Sequence, residues 1–192
     1  MLDINNRYIH HLSQSEGCQG KQFVCGDGKM SRPVLMLIGE APGKDEVRNG
    51  RPFVGKAGQN LSRFLEILEL ERNSIYITNV VKIRPTQPGK NNGERNRAPS
   101  SMEVELFKPW LLDEIQYVQP QALVTLGNTP LKALMGKDCN IGDMHGVPVD
   151  TPCGQKLFPL YHPAAIIYNR SLVPVYDEDL VKLRHWIHQF SQ

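Results

Sequence analysis

Residues 33–40 read PVLMLIGE, an unbroken apolar run that ends at Gly39 and Glu40 and passes straight into Ala41, Pro42 and Gly43. A short run without polar alternation, closed by turn-forming residues, reads as a strand buried on both faces, the habit of parallel sheets. Working outward from it, residues 57–70 (AGQNLSRFLEILEL) place apolar side chains at 61, 64, 65 and 68, a helical spacing. Residues 74–83 (SIYITNVVKI) are rich in β-branched residues and read as a second strand. The polar stretch 84–101 reads as a long loop. Residues 104–118 (VELFKPWLLDEIQYV) read as a helix in which Pro109 marks a late start or a kink. QALVTLGN (121–128) is a third strand, TPLKALMG (129–136) a short helix stopped by glycine, KLFPLYHP (156–163) a last strand, and residues 177–190 a C-terminal helix. Strands alternating with helices predict an α/β fold, a three-layer α/β/α sandwich around a central, mostly parallel four-stranded sheet. The 192 residues suit a single domain. Residues 1–30 carry no pattern that assigns them a structure.

In such sheets ligands bind beyond the carboxyl ends of the strands. Glu40, Asn79, Gly127 and His162 all fall there, so four separate segments deliver candidate side chains to one edge. No apolar run is long enough to span a bilayer. The N-terminus lacks the basic start and apolar stretch of a secretory signal, which predicts a cytoplasmic protein. Cys18, Cys25, Cys139 and Cys153 include no C-x-x-C pair and read as free thiols. The formal net charge is only +2, but Arg51, Lys56, Arg63, Lys82, Arg84, Lys90, Arg95 and Arg97 crowd the middle of the chain. That cluster is either a solvated face or a surface that meets phosphates.

Four motifs carry chemistry. GEAPGKDE (39–46) has the wrong glycine spacing for a triphosphate loop, and Asp45 follows its lysine where Ser or Thr is required. It reads instead as a tight turn that lets backbone approach a ligand. In GRPFVGKAGQNL (50–61), Phe53 sits in a glycine-bounded loop, where it either packs into the core or stacks on a flat ligand such as a base. In YITNVVKIRP (76–85), Asn79 offers a donor and an acceptor side by side, the pattern needed to read a base edge, and its alternative is a loop-bracing amide. In LYHPAAIIYNR (160–170), the proline after His162 restricts its backbone, and the imidazole fixed there either donates to a developing anion or has a purely structural place.

Together these motifs, with NRAP (96–99) and the LG of the third strand, resemble the uracil-DNA glycosylase superfamily, closest to its family-four type, in order and spacing from about residue 33 to 170. The resemblance implies a DNA-repair N-glycosylase that flips uracil out of DNA and hydrolyses its glycosidic bond, leaving an abasic site. Ala41, Pro42 and Gly43 would shape the pocket, Phe53 stack on the base, and Asn79 donate to O4 and accept from N3–H. His162 would donate to O2, and Glu46 or Glu40 stabilise the sugar cation or direct water. Lys82, Arg84, Arg95 and Arg97 would hold phosphates. With no lysine placed to form an imine, a lyase step is not expected. Family-four enzymes hold a four-iron, four-sulfur cluster on four cysteines. Here Ile83 and Phe107 stand at two of those positions, and Cys18 and Cys25 are too far apart for the family's C-x-x-C pair. The expectation is therefore no cofactor and no metal. The expected partner is DNA carrying uracil or another deaminated base, bound by a monomer without any membrane. Two other readings fit the same motifs: a glycosylase for a different deaminated base, and a non-catalytic DNA-binding module.

Overall fold

The computed structural model describes residues 1–89 and 93–190, without the side chains of residues 56, 57, 59 and 60. In chain order the elements are α1 (Leu2–Leu12), β1 (Asp27–Gly28), β2 (Leu35–Gly39), α2 (Lys44–Asn49), α3 (Lys56–Leu68), β3 (Tyr76–Asn79), β4 (Thr86–Pro88) and β5 (Glu94–Asn96). They continue with α4 (Ser101–Val118), β6 (Ala122–Leu126), α5 (Asn128–Met135), α6 (Ile141–Met144), β7 (Val149–Asp150), β8 (Lys156–Leu160), α7 (Ala165–Tyr168) and α8 (Val173–His188).

The main sheet has the order β1-β3-β2-β6-β8-β7. Its four inner strands are parallel, and the two-residue β1 and β7 pair antiparallel at the edges. The sheet is thus six-stranded, not four-stranded: edge strands this short bury too little to leave an apolar run in the sequence. Every residue of β2 is buried, as expected for a strand covered on both faces.

The two-residue period of the strands sorts the core into two layers. Met36, Ile38, Tyr76, Leu123 and Leu157 face one side, with Phe107, Trp110, Leu111 and Ile115 of α4 and with Leu12 of α1. Leu35, Leu37, Ile77, Val124, Phe158 and Leu160 face the other, with Leu61, Phe64 and Leu68 of α3 and Leu180, Leu183 and Ile187 of α8. Among the described residues no helix is long and apolar enough to cross a membrane.

Three segments differ from expectation. The stretch read as a loop contains the β4–β5 hairpin, in the register Thr86↔Asn96. α4 does not begin at Pro109. Its start is set by a capping box, Ser100 Oγ accepting from the Glu103 N–H (3.2 Å) and the Glu103 carboxylate from the Ser100 N–H (2.7 Å). The helix then runs through the proline, at the expense of one internal hydrogen bond. The N-terminal thirty residues are ordered onto the domain: Tyr8 stacks on Trp110 of α4 with ring centroids 5.3 Å apart, and Val24 N–H donates to the Lys82 carbonyl.

Candidate active site

A cavity of about 310 Å³ opens at the carboxyl ends of the parallel strands, and Ala41, Gly43, Phe53, Asn79, Glu46 and His162 all line it. Gly39 shows how tightly it is built. A Cβ there would lie 2.6 Å from Phe53 Cζ and would also strike Asn79 Oδ1, so only glycine lets the strand end pass beneath both side chains. A larger depression of about 750 Å³ lies between Arg32, Gln116, Gln121 and Cys153. It is at the opposite, amino-terminal end of the strands and gathers no comparable chemistry.

Asn79 is the last residue of β3 and is 3% exposed. Among the described residues nothing hydrogen-bonds its side-chain amide, whereas its backbone carbonyl accepts from Lys82 Nζ at 2.6 Å. A buried, unpartnered amide on a cavity wall is costly unless a ligand completes it. Phe53 is buried and its ring lies beside His162, with centroids 6.1 Å apart and planes 30° apart. His162 follows β8. Its Nδ1 accepts the Ala164 N–H at 3.0 Å, which leaves the ring proton on Nε2. Burial pushes its pKa down to about 4, against a weaker upward pull from Glu46. At neutral pH it is therefore an uncharged imidazole with one N–H to donate. The positive φ of Gly127 (90°) lets β6 turn away beneath it, where a Cβ would sit 3.3 Å from His162 Cβ.

Glu46 joins the first two motifs. One carboxylate oxygen accepts the Gly43 N–H (3.1 Å) and the other the Gly55 N–H (2.8 Å), so it closes the cavity's rim as well as placing a negative charge near His162. Glu40 and Pro42 are corrections to the expected site. Neither lines the cavity. The Glu40 carboxylate accepts from the Thr129 hydroxyl of α5, and Pro42 is buried behind the loop.

The expected phosphate contacts need larger correction. Lys82 is fully buried. Its ammonium donates to Glu114 Oε2 (2.6 Å), to Thr78 Oγ1 and to the Asn79 carbonyl, and so spends all three protons inside the protein. Arg97 is held by both oxygens of Glu103 (2.6 and 2.8 Å) and by the Thr86 and Ala98 carbonyls, bracing the hairpin against α4. Arg84 is mostly covered and donates through Nε to Asn96 Oδ1 at 2.7 Å. Arg95 is exposed and makes no ion pair among the described residues. Arg51 and Arg63 are paired with Asp27 and Asp177. Lys90 and the side chain of Lys56 lie outside the described residues.

Six further residues line the cavity beyond those the motifs point to: Lys44, Asp45, Gly55, Asn96, Ala164 and Tyr168. Asn96 comes from β5. Because arginine only donates, its bond from Arg84 fixes the amide oxygen and leaves the NH2 group on the cavity side, where it would lie 3.5 Å from a Cβ on Gly43. The NRAP motif marked the segment, but only the hairpin brings Asn96 to the site. Tyr168 is 88% exposed at the mouth.

Comparison with known proteins agrees with this geometry. The family model of the Uracil DNA glycosylase superfamily matches residues 25–186. The chain is 39% identical to a type-4 uracil-DNA glycosylase of Sulfurisphaera tokodaii, over 95% of this chain and 84% of that protein. It is 35% identical to the type-4 enzyme of Thermotoga maritima, over 85% of this chain and 82% of that protein. Against that of Saccharolobus solfataricus it is 38% identical, over 85% and 76%. With the match spanning the sheet and every wall of the cavity, the chain belongs to the uracil DNA glycosylase superfamily.

Proposed function

We propose that this chain is a monofunctional uracil-DNA glycosylase acting in base excision repair. The observation that carries the reading is the convergence of an aromatic ring, a base-edge amide without a partner among the described residues, and a neutral imidazole donor on one cavity. At about 310 Å³ the cavity admits a single base, not a duplex, so the target must leave the stack, at a cost of a few kcal/mol. Phe53 stacks on the extruded base. Asn79 donates to uracil O4 and accepts from N3–H, a pattern that cytosine reverses.

As the glycosidic bond breaks, electrons move onto the base and positive charge onto the sugar. The Nε2–H of His162 donates to O2 as that oxygen gains charge, and one such preorganised donor contributes about 3 kcal/mol. A neutral donor suits the task because it holds its orientation and gives up no proton beforehand. Glu46, and Asp45 beside it, supply negative charge opposite the sugar cation. The Asn96 amide is placed to hold the attacking water. Lys44 is exposed beside two carboxylates, unlike the desolvated lysines that form imines, so the product is an abasic site. Arg95 contacts phosphate.

The positions that hold an iron–sulfur cluster in family-four enzymes do not fit one here. Ile83 and Phe107 have no ligand atom. Both are buried in the same apolar layer as Cys18, with Cys25 packed against it, and the space is filled by side chains. The reading is therefore of an enzyme without that cofactor. The four cysteines are free, as a reducing cytoplasm would leave them.

Incubation with oligonucleotides carrying uracil, hypoxanthine or xanthine, followed by hot alkali, tests the reading. Cleavage at uracil without added metal is expected. Cleavage only at a purine lesion would reassign the substrate, and intact DNA beside an active control enzyme would favour a non-catalytic module.

A further inference from the structure

Phe53 has φ of +53°, in the left-handed region that a bulky residue seldom occupies. Conformations of this kind persist only where their surroundings over-determine them. The surroundings are explicit. Arg72, in the short 3₁₀ turn Arg72–Ser74 ahead of β3, donates from Nη2 to the Pro52 carbonyl at 2.7 Å and from Nη1 to the Phe53 carbonyl at 3.4 Å. Gly58, in the first turn of α3, lies against that same carbonyl group, where a Cβ would sit 2.6 Å from the Phe53 carbonyl carbon. Behind Arg72 stands Asp27 of β1, 3.6 Å from Nη2 and itself bonded to Arg51 at 2.7 and 3.1 Å. β1 pairs with β3, the strand that ends in Asn79.

We infer that Arg72 is a positioning residue for the base-stacking ring, a clamp from outside the four motifs that holds the Pro52–Phe53 turn so that Phe53 lies over Gly39 and beside His162. Two neighbouring carbonyls need two donors in a fixed fork. A guanidinium provides this and an ammonium does not. Through Asp27 the clamp is tied to the edge of the sheet, so the ring and Asn79, the two groups that meet the base, share one mechanical reference. The inference rests on the stacking role proposed for Phe53.

The test is single-turnover cleavage of single-stranded uracil DNA by wild type, Arg72→Met, Arg72→Lys, Phe53→Ala and the double variant Arg72→Met with Phe53→Ala, each measured well below its thermal midpoint. Arg72→Met is expected to be slower by about tenfold, Arg72→Lys to fall between it and wild type, and the double variant to be no slower than Phe53→Ala alone. A role confined to stability would shift the midpoints and leave these rates alone. Losses that multiply in the double variant, or Arg72 variants at wild-type rate while Phe53→Ala is slow, would overturn the clamp. Phe53→Ala at wild-type rate would instead overturn the stacking reading, and the clamp with it. Arg72→Lys keeps the charge beside Asp27, so it answers the question even if Arg72→Met does not fold.

Discussion

Between pH 7 and pH 5 the folded protein is expected to lose about 2 kcal/mol of stability through His162 alone. Burial holds this imidazole down to about 4, from an ordinary 6.5. Below pH 6.5 the unfolded chain takes up a proton that the folded chain refuses until near pH 4. The unfolded state then binds more protons, and stability falls as the pH drops through that window. The full shift corresponds to about 3 kcal/mol, developed only below pH 4, at 1.36 kcal/mol per pKa unit. Urea unfolding of wild type and His162→Asn at pH 7, 6 and 5 measures it. Carboxylates elsewhere titrate in both proteins and cancel in the difference, so wild type should lose stability faster by the stated amount. The same neutrality predicts a kcat/KM profile without an inflection near 6.5. Parallel stability curves, or a step in activity at 6.5, would refute the assignment of His162 as a half-buried neutral donor.

Asn79→Asp should lose most uracil activity and gain weak cytosine removal, since a protonated Asp donates to cytosine N3 and accepts from N4, while Asn79→Ala should lose the first without gaining the second; each unpaired buried group is worth roughly 1–3 kcal/mol. Wild-type rates on uracil in both would make Asn79 structural. Lys82→Met should destabilise the fold in urea by about 3–5 kcal/mol, because Glu114 is left buried without its cation, and the salt dependence of DNA binding should not change. Arg95→Ala should weaken binding evenly across sequences and lower the slope of log affinity against log salt by about one; an unchanged slope would place Arg95 off the DNA path. Purified without oxygen, the protein should contain no stoichiometric iron and no visible chromophore, and a brown, iron-loaded preparation would refute the assignment of Ile83 and Phe107 to ligand positions.

The sheet and the cavity's main walls were legible in the sequence because their causes are local. An apolar run such as LMLIG can only be buried, and a Gly-Pro-Gly turn ends it whatever surrounds it. Phe53, Asn79 and His162 sit at such ends, so their placement on one edge followed from strand direction alone. Residues 84–101 carry only polar loop signals, yet the pairing of two three-residue strands makes a hairpin there. Segments that short leave no periodic trace, so neither Asn96 at the cavity nor its bond from Arg84 could be placed beforehand.

Charges were the least legible. Lys82 has the look of a phosphate contact, but folding brings Glu114 to it from 32 residues away, and Arg97 has the look of a free charge, but Glu103 takes both its terminal nitrogens. Glu46 and Glu40 are equivalent on paper. One lines the cavity and the other is bound to Thr129 only because of where α5 lies. The sequence alone determined which side chains end the strands, since burial and turn chemistry are properties of neighbours along the chain. Tertiary structure alone decided which charges remain free and what holds Phe53 in place, since an ion's role depends on partners whose distance in sequence carries no signal.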